Sequence, residues 1–368
     1  MTQCKCASPW RRKRLCLILV ACLLLVALTL GVIGLARQSH RVLSFHSVSI
    51  SDKLYAYWQA RYRYEYLTLY RGEGASDTAE FWASVKDAET GVTYGEDLRQ
   101  MVDLYVARIA MGSYLFDAAG YTVSDQMRAA LEEAMENRLR AVFSSDEDTF
   151  NEMAAPYGFD YKTARRAAIH ETKANLLASY AVADAAQTDA YFREHYVRVG
   201  ILRISPDHVG GAGALSLIRE GLVAGATEEA FLAWASDPTL NDTGTTNSNT
   251  GGYYFAEDSA YYGDYASTLP TVAEAALSLS QAGDWCEVSV ADGDAPGTYF
   301  VYRYTLPEDK PYESEESEAF FSDLTRLAAD HYFLLWLDGH LPEVKWQTEH
   351  IPTPVPQGVT TDLFRFFG

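Results

Sequence analysis

The hydrophobic pattern changes period three times along the chain. Leu15 to Leu35 is an unbroken run of 21 residues without a charge, and about 20 such residues are needed to cross a bilayer. From Ser51 to Tyr196 the apolar residues recur at helical spacing, which predicts six helices. Alternation typical of strands begins at Val197 and extends to about Tyr304. The helical period returns from Ser314 to Asp338.

Capping residues and glycines mark the ends of these predicted helices. Five of the six predicted helices in the first region have an assigned Asp, Ser or Thr N-cap, whose side chain can accept from the first free backbone amides. The other is a short helix from Ser145 to Tyr157. Thr93-x-x-Glu96 has the form of a capping box. The predicted N-caps are Ser51, Thr93, Ser124, Asp160 and Thr188. Gly120 and Gly158 are expected to end two of the helices.

The alternating region predicts a small α+β domain. We expect strands at 197–204, 285–290 and 298–304, an aromatic run at 253–255, and short helices between them. The predicted domains are the tail and anchor at 1–36, a helical region at 37–196, the α+β domain at 197–306, and a returning helix with a Pro-rich tail at 307–368. The fold class is therefore α+β. We expect the returning helix to complete the helical module, with the α+β domain inserted. Disorder is the default interpretation of the Phe-rich tail, and docking of its Phe cluster is the alternative.

The uncharged run predicts a single-pass membrane anchor. Arg11, Arg12, Lys13 and Arg14 directly precede it, and the positive-inside rule places such residues in the cytoplasm. The bulk of the chain is then extracytoplasmic. A cleaved signal peptide is the alternative, but the apolar core of a signal peptide is usually only 7–15 residues long.

Charge and cysteine content limit the partners and the chemistry. Five of the 30 basic residues and none of the 50 acidic residues lie in the first 36 positions, so the remainder carries 25 basic and 50 acidic side chains. Such an acidic surface repels phosphate backbones, which excludes nucleic-acid binding. Cys286 is the one cysteine after the anchor, so the extracytoplasmic part cannot form an internal disulfide.

Motifs for cofactors and metals are incomplete. His170-Glu171 begins a zinc-protease motif, but Ala174 stands where the second histidine would be needed. Gly211-x-Gly213 begins a helix as dinucleotide loops do, yet Ser216 replaces the third glycine. The sequence therefore predicts neither a metal site nor a bound cofactor.

The first predicted helix is rich in tyrosine. Six tyrosines lie between Tyr55 and Tyr70. One interpretation is an amphipathic helix whose rings form the core. The other is that some rings are exposed to bind unfolded chains, since tyrosine combines an apolar face with a polar edge.

The order of anchor, helices, small α+β domain and returning helix resembles the PrsA/SurA-type extracytoplasmic foldases. The resemblance covers about Val48 to Trp346. The step from Phe116 to Asp125 is similar to the N-terminal chaperone region of SurA, and the α+β part is similar to a parvulin-type (PpiC) peptidyl-prolyl isomerase domain. The segments that carry the second similarity are 197–202, 231–237, Gly251-Gly252 with Phe255, 275–279, Gly283-Asp284 and 297–301.

The resemblance implies a set of site residues and two departures. Active parvulins carry one histidine in an R-x-x-H-I-L first strand and another in a G-Y-H-I-I last strand. Gly200 and Tyr299 occupy these places here. The resemblance assigns Tyr299 and Asp237 to a degenerate catalytic site. It assigns substrate binding to Phe255, Val272, Leu279 and Tyr253, with Val272 in place of the usual aromatic pocket floor.

These observations favour a membrane-anchored chaperone that binds unfolded exported proteins. Its parvulin-like domain would be a weak or inactive isomerase, because the two histidines are replaced. An active isomerase with an altered site is the first alternative. A non-catalytic scaffold protein of the cell envelope is the second. All three interpretations are compatible with a homo-oligomer.

Overall fold

The computed structural model describes residues 40–70, 72, 75–242, 252–293, 295–313, 318–352 and 361–367. Over these ranges the chain combines helices with two small sheets, so the fold is mixed α+β. The predicted anchor, Leu15 to Leu35, lies outside the described residues. Among the helices that are described, none is long and apolar enough to cross a membrane.

The chain forms two compact units. The first contains the described residues up to Tyr180 and from Trp336 onward, and the second contains the described residues of Ala181–Leu335. The second unit therefore interrupts the first along the chain. Its boundaries differ from the predicted 196/197 and 306/307, because Phe192 and Tyr196 share a buried cluster with Leu324 of the returning helix.

The first unit is mainly helical. Each of its four longest helices begins at an N-cap that the sequence predicts: Ser51, Thr93, Ser124 and Asp160. Thr93 and Glu96 form the expected capping box. The helices are α1 (Asp52–Leu69), α2 (Ala79–Ala83), α3 (Tyr94–Ala118), α4 (Asp125–Phe143), α5 (Glu147–Ala154) and α6 (Tyr161–Ser179).

Helices α1, α3 and α6 pack together as the centre of the first unit. Trp58 of α1, Val106 of α3 and Ala167 of α6 are all inaccessible to solvent. Helices α3 and α6 are in close contact at Gly112, where an added Cβ would lie 2.8 Å from the Cβ of Ala174. The tyrosines of α1 belong largely to this core, since Tyr55, Tyr57 and Tyr66 are at most 4% exposed.

The region predicted as all-helical also contains strands. Strands β1 (Arg41–Phe45) and β2 (Val48–Ser51) form an antiparallel hairpin, and β7 (Lys345–Trp346) pairs with β1. The sheet order is β2-β1-β7. Strand β1 is not apparent from local sequence, because its partner β7 lies about 300 residues later in the chain.

The C-terminal tail ends in a docked helix. Helix α13 (Thr361–Phe367) buries Leu363, Phe366 and Phe367. The docking alternative is therefore correct for these residues, while 353–360 lie outside the described part. Docking is favourable because three large apolar side chains leave water together.

The second unit contains an antiparallel sheet of order β4-β3-β6-β5. Its strands are β3 (Val197–Ile204), β4 (Tyr253–Phe255), β5 (Trp285–Val290) and β6 (Gly297–Tyr304). Helices α8 (Gly211–Val223) and α9 (Glu228–Ser236) cover one face, and α11 (Pro270–Ser278) covers the other. The remaining helices are α7 (Ala185–His195), α10 (Ala260–Thr268) and α12 (Glu318–Asp338).

Helix α12 crosses the boundary between the units. Leu324, Leu327 and Ala328 pack with Phe192 of α7 in the second unit. Asp338, at the other end of α12, belongs to the first unit and accepts two hydrogen bonds from Arg108, at 2.8 and 2.7 Å. Most of α12 therefore packs on α7 within the second unit, and its last residue contacts α3 within the first.

Candidate functional site

Five of the six predicted site residues lie in one apolar cluster on the α11 face of the sheet. Tyr299, Phe255, Val272 and Leu279 are buried there, and Tyr253 packs against them at the margin. Val272 and Phe255 are completely inaccessible and Tyr299 is 1% exposed. These side chains form the core between the sheet and α11, so access of a peptide to them would require this core to open.

The Tyr299 hydroxyl is already engaged within the domain. It donates a hydrogen bond of 2.7 Å to the carbonyl oxygen of Ala295, four residues earlier. Burial raises the pKa of Tyr299 above its ordinary value, so the phenol stays protonated near neutral pH. The hydroxyl could stabilise a twisted amide only after leaving Ala295.

The strand register separates the two positions at which the resemblance places histidines. Gly200 pairs with Tyr302, whereas Tyr299 pairs with Arg203. Because successive residues of a strand face opposite sides, Tyr299 points to the side opposite Tyr302. A Cβ at Gly200 would meet Tyr304 and Phe231, both on the α8–α9 side of the sheet. The structure therefore does not bring these two positions together.

Asp237 is also separated from Tyr299. It ends α9, which packs on the α8–α9 side of the sheet, and its carboxylate accepts from the amide and hydroxyl of Thr239, at 2.8 and 2.7 Å. The hydroxyl and amide of Thr239 lower the pKa of Asp237. The contacts that the structure shows for this carboxylate are those of a turn after a helix.

A polar cluster that the sequence analysis did not single out lies beyond the end of β3. Asp242 accepts from the amide and hydroxyl of Ser205, both at 2.9 Å, and contacts Nδ1 of His208 at 2.8 Å. The hydrogen bond to Asp242 raises the pKa of His208. Burial opposes ionisation of Asp242, but the donors from Ser205 and His208 keep its pKa below its usual value.

This cluster holds a loop rather than activating a nucleophile. The other ring nitrogen of His208 contacts the carbonyl oxygen of Thr239 at 2.9 Å. The hydroxyl of Ser205 donates to Asp242 and not to His208. A catalytic triad instead needs the serine hydroxyl to donate to the histidine, which then takes its proton. Both bonds of His208 run to the segment 239–242 and fix it against β3.

The incomplete zinc motif has a structural role in the helical unit. One oxygen of Glu171 accepts from Trp58, Arg61 and Tyr105, at 2.7, 2.9 and 2.9 Å, and so joins α6 to α1 and α3. Nδ1 of His170 bonds the buried hydroxyl of Ser113 at 2.9 Å. No cluster suited to a metal occurs among the described residues, and both side chains of the half motif serve helix packing.

A cleft of about 220 Å³ opens between the end of α3, the start of α4 and the second half of α6. Half-buried Leu131 and Ile169 form part of its lining, together with Tyr121. Lys173 and Asp117 pair at 2.7 and 2.6 Å at its side. The cleft therefore offers apolar contact beside charged groups.

Tyr121, which lines this cleft, is in ring contact with Tyr180. Tyr121 is 43% exposed and Tyr180 is 52% exposed, and their ring centroids lie 4.8 Å apart. Both follow a helix end, Tyr121 directly after Gly120 and Tyr180 at the C-cap of α6. In the sequence, an exposed tyrosine is indicated by its position just after a predicted helix end. The tyrosines Tyr55, Tyr57 and Tyr66 of α1 are instead buried in the core.

Comparison with known proteins gives matches among solved structures alone. No family model matches the chain, and no curated protein matches it. A peptidylprolyl isomerase (PrsA) from Bacillus anthracis is 14% identical over 66% of this chain and 96% of its own, with a TM-score of 0.24. The foldase protein PrsA from Streptococcus pneumoniae is 14% identical over 71% and 93%, with a TM-score of 0.23.

A third solved structure belongs to the same group. The foldase protein (PrsA) from Lactococcus lactis is 11% identical over 84% of this chain and 95% of its own, with a TM-score of 0.22. These are PrsA foldases, the family that the sequence resembles. Superpositions at such TM-scores assign no role to individual residues.

Proposed function

We propose that the protein is a membrane-anchored, extracytoplasmic foldase-like chaperone that binds exported proteins before they fold. The observation that carries the proposal is the cleft of the helical unit, with Tyr121 and Tyr180 exposed at its margin. Exposed aromatic rings next to charged groups suit extended chains of mixed composition, since tyrosine contributes apolar area without one fixed partner.

The sheet unit is proposed to be a weak or inactive prolyl isomerase. Rotation about an X-Pro bond has a barrier of about 20 kcal/mol, and a catalyst must hold the ring and stabilise the twisted amide. Tyr299 and Asp237 belong to opposite faces of the sheet, and each is engaged in a local hydrogen bond. The predicted apolar substrate-binding residues are packed in the core of the α11 face. The loss of one positioned donor costs about 2.7–4 kcal/mol in well-studied oxyanion sites.

The chaperone proposal is tested by light scattering of an aggregating unfolded client. The full chain should slow aggregation, and Tyr121→Ser/Tyr180→Ser should require about tenfold more protein, a change worth about 1.4 kcal/mol. Val209→Ser/Val223→Ser, which removes two exposed apolar side chains elsewhere, is the matched control. An envelope scaffold would not slow aggregation at all, and equal loss in both variants would contradict the role of the cleft.

The isomerase proposal is tested on the same preparation with a proline peptide. We expect little acceleration by the parent and none gained by Tyr299→His, because the position of the other histidine, Gly200, faces the opposite side of the sheet. Strong activity in the parent that disappears in Asp237→Ala would instead establish the altered-site enzyme.

The proposed anchor is tested by protease added to intact cells. Four basic residues precede the uncharged run at Leu15, so the N-terminus should stay inside and the 37–368 region should be degraded. Disruption of the cells is the control that exposes the N-terminal tail as well. Protection of 37–368 in intact cells would contradict this topology.

A further inference from the structure

The C-terminal helix α13 fills an apolar groove on the first unit. Leu363, Phe366 and Phe367 are 0, 1 and 8% exposed, whereas Arg365 is exposed. The three buried positions are spaced i, i+3 and i+4, which places them on one face of a helix. Helix α13 therefore presents a single apolar face to the groove.

The groove is lined by aromatic rings from several elements of the first unit. They belong to α1, the end of α4, α5 and the segment before α6. The ring centroids lie at these distances: Phe366 to Phe150 4.7 Å and to Phe143 6.5 Å, and Phe367 to Tyr57 5.5 Å and to Phe159 6.3 Å. Contacts of this kind select bulky apolar side chains at the right spacing and depend little on their identity.

The docked helix is suited to exchange. It has seven residues, fewer than the 12–15 below which isolated helices are marginal in water, so its helical form depends on the groove. Ordering seven residues costs free energy comparable to that gained by burying three side chains. The docked state is then favoured only modestly, by about tenfold or 1.4 kcal/mol.

The groove also has a polar group that α13 does not satisfy. The hydroxyl of Tyr161 is buried and has no hydrogen-bond partner among the described residues. Its ring centroid lies 6.3 Å from that of Phe366. A buried hydroxyl without a partner is costly, so the docked arrangement leaves one polar group beside Phe366 unsatisfied.

We propose that this groove is a second client-binding site, which takes short helical segments with bulky apolar side chains at i, i+3 and i+4, and that α13 is its tethered competitor. The inference rests on the proposed function, since unfolded exported chains supply such segments. Recognition would be of the helix-in-groove kind. The tether keeps α13 at a high effective concentration, so a free segment binds only when it competes successfully.

The test measures binding of a fluorescein-labelled peptide with the sequence of residues 361–368 to the full chain by fluorescence anisotropy. Leu363→Ser/Phe366→Ser should bind the peptide at least about tenfold more tightly than the parent, because the competitor is weakened. Phe321→Ser/Leu335→Ser, which removes two exposed apolar side chains from α12, is the matched control and should bind like the parent. A photoreactive phenylalanine at the position of Phe366 in the peptide should crosslink to α4 or α5.

Three results would overturn the proposal. One is failure of the binding test, through either equal affinity of the parent and the double variant or crosslinks outside the groove. Another is loss of cooperative unfolding in the double variant, which would make α13 a fixed part of the core. The third is a dimeric parent and a monomeric double variant, which would assign the groove to the tail of a second copy. Peptide binding is measured without any client, so tighter binding in the absence of aggregation suppression would disprove the chaperone function and leave the groove as a peptide site.

Discussion

Gly200 shows how a missing side chain can be a packing requirement. A Cβ at this position would overlap the hydroxyl end of Tyr304 and the ring of Phe231, and both rings are inaccessible to solvent or nearly so. The sequence alone suggests a lost catalytic histidine at this place. In the structure, no side chain larger than hydrogen fits without moving two core rings.

Gly200→Ala should therefore destabilise the second unit by about 1–3 kcal/mol, the usual cost of overpacking a core. Gly263→Ala is the matched control, because Gly263 is an exposed position within α10 where an added Cβ meets no atom within 4 Å. That change should stabilise the helix by about 0.5–1 kcal/mol. Urea unfolding of both variants tests the pair, and a neutral Gly200→Ala would show that Tyr304 and Phe231 can move freely.

His170 gives the first unit a specific sensitivity to acid. Burial lowers the pKa of His170 to about 4 from its ordinary 6.5. Between these two pH values the unfolded chain binds a proton at this position and the folded chain does not. Stability should then fall as the pH drops from about 6.5 toward 4, and this loss is absent above 6.5.

His170→Asn should remove this part of the pH dependence. At pH 5 the histidine costs the parent about 2 kcal/mol relative to pH 8, by linkage between pKa values of 6.5 and 4. The variant lacks that term, although it loses some stability at every pH through the changed contact with Ser113. Denaturant unfolding at pH 5 and pH 8 measures the difference. Parallel pH profiles for the two proteins would mean that His170 is not buried in neutral form.

Among the elements, helices were predicted well where a local capping signal was present. Ser51, Thr93, Ser124 and Asp160 each accept from a backbone amide at the predicted start of a helix. The prediction for α7 is wrong by one turn. Its N-cap is Asp184, whose capping box with Gln187 precedes the predicted Thr188.

Asp184→Ala should destabilise the second unit by about 1 kcal/mol, since it removes the acceptor for the Gln187 amide. Asp184→Asn is the matched control, because asparagine caps helices about as well as aspartate. It should lie within a few tenths of a kcal/mol of the parent. Thermal unfolding separates the two variants, and equal losses would point to the negative charge rather than the cap.

The distant partners of the short elements could not be predicted from the sequence. Strand β7 has two residues and pairs with β1 near the start of the described chain, so neither has a local pattern long enough to predict that pairing. Helix α13 is too short to be predicted from periodicity, and the burial of its rings depends on walls supplied by four other segments. The arrangement of the predicted site residues was likewise predictable only in part. Burial of Phe255 and Tyr299 follows from strand alternation, whereas Val272 and Leu279 belong to α11 and its C-cap. The separation of these residues from Asp237 depends on the face of the sheet that each helix covers.

For the whole molecule, charge is the property most directly readable from sequence. After the first 36 residues the chain has twice as many acidic as basic side chains, 50 against 25. A surface of one sign attracts partners of the other sign over roughly the Debye length, which is about 10 Å at 0.1 M salt. The proposed chaperone should therefore bind basic unfolded clients faster than acidic ones.

The salt dependence of client binding tests this expectation. The association rate with a basic unfolded client should fall about tenfold or more as salt is raised from low to physiological concentration, because screening removes the long-range attraction. The control is the same client with its lysines succinylated, which reverses its charge while keeping its apolar segments. Its rate should be lower at low salt and should rise as salt is added. If both forms of the client show the same weak salt dependence, apolar contact alone governs the encounter, and the acidic surface serves solubility rather than client capture.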